Sequence, residues 1–119
     1  MPKAQRRKGH QFERDVAIDM RKYGFKEARR QLEYHEKDAN GVDLQGTGQF
    51  AVQCKALNTT PNIPQVFTEI KQHTIEHIPM VVFKVDGKGI YAAFKWEDAL
   101  LLTSAFHAWS SGHTKESPI

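Results

Sequence analysis

The sequence predicts an α/β sandwich, a central mixed β-sheet flanked by helices, and three observations carry that prediction. Two stretches, 42–57 and 80–94, each read as a pair of short strands joined by a glycine turn. A helical period at 65–78 separates them, and two more, at 10–23 and 96–106, open and close the pattern. The 119 residues, 39% of them hydrophobic, supply one ordinary core, so a single domain is expected.

Residues 1–8 (MPKAQRRK) lack apolar periodicity and are expected to form a flexible basic arm, with the domain spanning 9–109 and a polar tail 110–119. From His10 to Tyr23, the residues Phe12, Val16, Met20 and Tyr23 mark one helical face, and Gly24 caps its end. Residues 25–36 alternate patchily through Ala28, Leu32 and Tyr34 and are assigned a strand, followed by the loop KDANG. Val42–Gln45 and Gln49–Leu57 then form a hairpin across Gly46-Thr47-Gly48. In its second strand Val52, Cys54 and Ala56 are expected to face the core, and Ala51, Gln53, Lys55 and Leu57 a polar side.

Pro64 suits the first turn of the helix at 65–78, on which Val66, Phe67, Ile70, Thr74 and Ile78 recur, and Pro79 is expected to end it. Met80–Val85 is an apolar run broken only by Lys84, as a central strand covered on both faces should be. Asp86-Gly87-Lys88-Gly89 turns it into an antiparallel partner, Ile90–Phe94. Trp96–Phe106 follows as a helix with Glu97 and Asp98 in its first turn, where the dipole favours them. The order is αβββαββα.

Composition narrows the partners. Net charge is +3, yet all six arginines fall within the first thirty residues, which carry ten Lys and Arg against four Asp and Glu. The rest holds seven basic against ten acidic residues. This asymmetry points to a polyanionic partner as readily as to a solvated basic tail. The single cysteine, Cys54, excludes an internal disulfide and fits a reducing, cytoplasmic setting. No stretch approaches the length that spans a bilayer, so no membrane partner is expected.

The chemistry concentrates on the first hairpin. Asp43 and the pair Gln53 and Lys55 fall on adjacent strands, and Gln53 and Lys55, two apart, project from one face. Asp43 and the Gln53 amide oxygen are hard donors suited to Mg²⁺, and the Lys55 ammonium can stabilise developing negative charge. Glu13 falls beside Ala17 and Met20 on the apolar side of the first helix, a costly place for a carboxylate unless it is paired or binds a cation. An ion pair with Lys55 and a metal site both answer that cost.

These residues resemble the pattern of the PD-(D/E)XK nuclease superfamily: a helical Glu in GHQFERDVA, an Asp in GVDL, and VQCK ending in Lys55. The opening is similar to Holliday junction resolvases of archaeal or phage type, and GVD followed by VQCK is similar to the Mrr-type restriction endonuclease branch. The resemblance spans residues 9–94 and implies a restriction-endonuclease-like sandwich. It implies that Glu13, Asp43, Gln53 and the backbone carbonyl of Cys54 hold Mg²⁺, with Mn²⁺ able to substitute, and that Lys55 assists hydrolysis. Gln53 departs from the commonest pattern, which has a carboxylate there; its neutral amide lowers the charge of the site.

The expected function is therefore metal-dependent hydrolysis of DNA, with branched junctions the preferred substrate and linear duplex the rival. A catalytically weak DNA-binding module is the alternative from another class, and no small-molecule substrate is expected. Arg6, Arg7, Lys8, Arg14, Arg29 and Arg30 are the candidate phosphate contacts. A junction needs two symmetric cuts and each chain has one site, so a C2 homodimer is expected. Glu69, His73 and His77 have metal-ligand spacing on the second helix, but a polar helix face explains them as well. Trp96 and Trp109 are read as core rather than base-stacking residues, and Glu33, His35 and Glu36 as a solvated edge.

Overall fold

The computed structural model describes residues 3–31, 41–70 and 77–112. It is a mixed α/β fold whose elements run α1 (Lys3–Lys22), β1 (Arg29–Arg30), β2 (Leu44–Gln45), β3 (Phe50–Leu57), α2 (Ile63–Glu69), β4 (Ile78–Val85), β5 (Gly89–Ala93) and α3 (Trp96–Gly112). The order matches the one the sequence predicts. β3, β4 and β5 form a mixed sheet with β4 in the middle, and β1 and β2 pair separately as a short antiparallel ribbon. β3 and β4 are parallel, in register from Phe50 with Ile78 to Leu57 with Val85. A parallel pair needs a crossover, and α2 lies in it.

That crossover explains why both faces of β3 are covered. On one face Val52, Cys54 and Val82 pack against Phe12, Val16 and Ala17 of α1, together with Ala28 and Leu44. On the other Ala51 and Val81 pack against Val66 of α2 and Ile70, joined by Val42. Ala51, Val52, Gln53 and Cys54 are all buried, so the expected division of β3 into a core side and a polar side is corrected. A strand held between two helical layers has no solvent side until it leaves them.

α1 begins at Lys3, so most of the stretch read as a flexible arm forms its first turns. Lys, Ala, Gln and Arg are strong helix formers and need no apolar stripe to extend a helix already packed further along. Its end follows the sequence: Gly24, with φ +107°, donates to Arg21 O, and Phe25 N–H reaches back to Met20 O at 3.0 Å. This reversal, followed by a turn closed from Ala28 N–H to Phe25 O, leaves Arg29 and Arg30 as the strand among the described residues of the stretch 25–36. Residues 32–40 lie outside the described residues.

Further differences follow along the chain. β2 pairs with β1 rather than forming a regular ladder with β3. The turn between β2 and β3 is tied by Thr47, whose hydroxyl donates to Phe50 O at 2.7 Å and whose carbonyl accepts from Phe50 N–H. α2 begins one residue before Pro64, capped by the Asn62 side chain, and ends at Glu69 instead of Ile78. Pro79, expected as a helix stop, is the second residue of β4, because proline pushes the residue before it into the extended region. α3 runs on through Gly112 into the stretch expected to be a tail, with none of its residues buried. Trp96 is 74% exposed and Trp109 partly exposed, which corrects their reading as core. No helix among the described residues is long and apolar enough to cross a membrane.

Candidate functional site

Asp43 is fixed before its chemistry is considered. Its neighbours Val42 and Leu44 are buried, its N–H donates to Val52 O at 2.8 Å, and its own carbonyl accepts from Gln31 N–H at 2.8 Å. Its carboxylate Oδ2 accepts from the Cys54 N–H, also at 2.8 Å. The Val52 carbonyl and the Cys54 N–H thus face the β2 edge of β3. In extended backbone the N–H and C=O of one residue point the same way, so the Cys54 carbonyl faces that edge beside Asp43.

Gln53 and Lys55 project to the α2 side of β3, the face of Ala51. There they meet Glu69, the last residue of α2. Its Oε2 accepts from Gln53 Nε2 at 2.9 Å and pairs with Lys55 Nζ at 3.1 Å. Glu69 also fixes the amide orientation, since the reverse would set two acceptors against each other. Gln53 Oε1 is then left buried with no hydrogen-bond partner.

Glu13 approaches from the α1 side. Its Oε1 accepts from Arg30 Nε at 3.0 Å, and both side chains are mostly buried. The ion pair expected as one answer to its buried charge is present, with Arg30 as a partner where Lys55 was expected. The Cys54 thiol lies on this same face, and its pKa is driven far up by burial, by the Asp43 charge and by the Glu13 charge. Both carboxylates therefore act on one sulfur, with Asp43 at the strand edge between the two faces.

The expected residues are thus gathered around a single stretch of β3, but in two groups. Among the described residues no three Cys, His, Asp or Glu side chains gather into a metal-holding group. The donor set still fits a hard cation, because Gln53 Oε1 is an orphaned buried oxygen and Asp43 and the Cys54 carbonyl supply the same oxygen chemistry.

Of the candidate phosphate contacts, Arg6, Arg7, Arg14 and Arg29 are exposed. Lys8 is engaged by Asp86 at 2.9 Å and Asn58 at 3.4 Å, and Arg30 by Glu13. The sequence reading missed Glu69 as a partner of Gln53 and Lys55, having grouped it with His73 and His77. The available signal was Ile70, whose apolar side chain ties this end of α2 to the Gln53 face. His77 lies at the start of the β4 region, off the helix, and His73, Glu33, His35 and Glu36 lie outside the described residues. A separate open hollow of about 470 Å³, lined by Ile63, Pro64, Phe67, Thr68, Lys95 and Trp96, contains none of the site residues. Comparison with protein-family models, with curated proteins and with solved structures finds no match for this chain.

Proposed function

We propose that this chain is a divalent-metal-dependent endonuclease that hydrolyses DNA phosphodiester bonds on a restriction-endonuclease-like sandwich, with branched junctions as its preferred substrate. The observation that carries the reading is the orphaned Gln53 oxygen on the strand whose edge holds the Asp43 carboxylate. Buried acceptors are almost always paired, and a cation satisfies one that has no donor. Asp43, Gln53 Oε1 and the Cys54 carbonyl would hold Mg²⁺, or Mn²⁺ in its place, and Glu13 adds negative charge from the α1 side. Mg²⁺ bound there would polarise the phosphate and lower the pKa of a bound water.

The chain's own residues do the rest. Lys55, next along the same face as Gln53, is positioned to stabilise charge that develops on the phosphate oxygens as water adds and one P–O bond breaks. The Asp43 carboxylate is held by the Cys54 N–H, so its orientation costs little when substrate arrives. Arg6, Arg7, Arg14 and Arg29 neutralise flanking phosphates without reading bases, which leaves selectivity to DNA shape.

Two cuts in a junction require two sites, and a second copy of this chain is the partner we assign to α3. Ile90, Tyr91, Trp96, Leu100, Leu101 and Phe106 on β5 and α3 are large, apolar and exposed. Each leaves on the order of 100 Å² open, so the six supply about 600 Å², the larger part of the roughly 800 Å² that a stable interface takes from one partner.

The engagement of Glu13 by Arg30 favours the rival, a DNA-binding module of weak activity, and one assay separates the two. The protein is incubated with a four-way junction, a linear duplex and single strands in Mg²⁺, Mn²⁺ or EDTA. Metal-dependent cleavage, falling on the order of 100-fold in Asp43→Ala and in Lys55→Ala, is expected. Binding without cleavage under every ion overturns the enzyme.

A further inference from the structure

We propose that Glu69 is a positioning residue of this site, holding the Gln53 amide by its nitrogen so that the buried oxygen is left for a ligand, and pairing with Lys55, so that α2 supplies the negative charge that position 53 lacks. The inference rests on the nuclease reading and deepens it. One oxygen, Glu69 Oε2, receives both donors, Gln53 Nε2 at 2.9 Å and Lys55 Nζ at 3.1 Å. An exposed ion pair alone would carry no such meaning. Here the same oxygen also decides which end of a buried amide is satisfied, and the end it leaves without a partner is the oxygen.

A second observation ties Glu69 to Asp43. Gly41, two residues before Asp43, has φ +78°, and a Cβ on it would overlap the Glu69 carbonyl. The main chain entering Asp43 and the main chain ending α2 therefore touch, which only glycine permits at this φ. Asp43, Gln53 and Lys55 are held in common by that contact and by the Glu69 side chain. The carboxylate that would sit on β3 in the commoner pattern is thus present at the site, one step removed, on the neighbouring helix.

This placement has a consequence for charge. With Gln53→Glu alone, two carboxylates face each other across the contact that Nε2 now bridges, and one must lose its partner. With Gln53→Glu and Glu69→Gln together, the donor and the acceptor exchange elements and the charge count is restored. A purely structural role for Glu69 does not require the second change to repair the first.

The test uses the full chain and two readouts, Mn²⁺ binding by calorimetry without DNA and cleavage of a DNA junction in Mg²⁺, with thermal melts as a folding control. Glu69→Ala leaves the buried Gln53 Nε2 without its acceptor, so both readouts are taken at a temperature where the melts show every variant folded. Glu69→Ala is expected to weaken Mn²⁺ binding and slow cleavage by at least tenfold each, Gln53→Glu to lower both, and the double variant to recover most of the loss. Cleavage and Mn²⁺ binding within twofold of the parent in Glu69→Ala, or a double variant no better than either single, overturns the role of Glu69 while leaving the nuclease intact. A parent that neither binds Mn²⁺ nor cleaves overturns both.

Discussion

Cys54 sits where α1 closes on the sheet, beside two carboxylates, and both circumstances oppose its ionisation. A thiol whose pKa is higher folded than unfolded keeps its proton in the native state after the unfolded chain has lost it. Its contribution to stability is complete below the ordinary thiol pKa, near 9, and declines as pH rises beyond it. In EDTA the parent should lose up to about 1.4 kcal/mol per pH unit above that point relative to Cys54→Ala, measured by urea melts at pH 7 and pH 10. Equal losses in both proteins would show that the thiol ionises freely. On the other side of the same helix contact, Arg30 and Glu13 are only 16% and 14% exposed in their side chains. Arg30→Ala removes a mostly buried ion pair from Glu13 and should cost on the order of 3 kcal/mol in the same melts, whereas a residue serving only to touch phosphate would cost almost none.

At the scale of elements, glycine and leucine positions on the Asp43 segment decide whether the site assembles. Gly46 has φ +75°, and a Cβ there would run into the Glu27 carbonyl, so β2 and the end of the α1 turn approach through it. Gly46→Ala should lower the melting temperature by several degrees through strain, and Leu44→Ala should cost about 3 kcal/mol by opening a cavity at a residue 1% exposed. A melting temperature unchanged in Gly46→Ala would contradict the close approach.

These same elements mark how far the sequence could be read. Gly24 and the hairpin at Asp86–Gly89 carry their turn chemistry locally, and the end of α1, β4 and β5 fall close to their predicted places. That Gln53 and Lys55 project from one face of β3 was legible for the same reason, because the direction of side chains two apart on a strand is a local property. Glu69 was not, because its role depends on which face of the sheet α2 covers. The end of α2 was hidden likewise: residues 65–78 keep a helical period, but Ile70 takes extended backbone after Glu69, and at Ile78 pairing with Phe50 outweighs propensity. The polar side expected for β3 failed because the crossover, rather than the pattern of β3 itself, brings the second covering layer.

At the scale of the whole molecule, charge and apolar surface act at different distances. With DNA as the proposed partner, the exposed Arg6, Arg7, Arg14 and Arg29 should give its affinity a steep salt dependence, and removing Arg6 and Arg7 together should reduce the logarithmic slope by about two while leaving base preference unchanged. An unaltered slope would place the DNA elsewhere. α3 presents Leu101 at 64% exposure and Phe106 at 53%, and a double change to Glu should convert a dimer to a monomer in sedimentation without lowering the melting temperature of the fold. A parent already monomeric at tens of micromolar would remove the dimer from the account.

The central claim is that oxygen donors around β3 hold a divalent cation for cutting DNA, and single-turnover cleavage of a labelled four-way junction tests it most directly. Cleavage that requires Mg²⁺ or Mn²⁺, stops in EDTA, and falls on the order of 100-fold in Asp43→Ala is the expected result. A cleavage rate in Asp43→Ala equal to that of the parent, or no cleavage by the parent under any divalent ion, would contradict it.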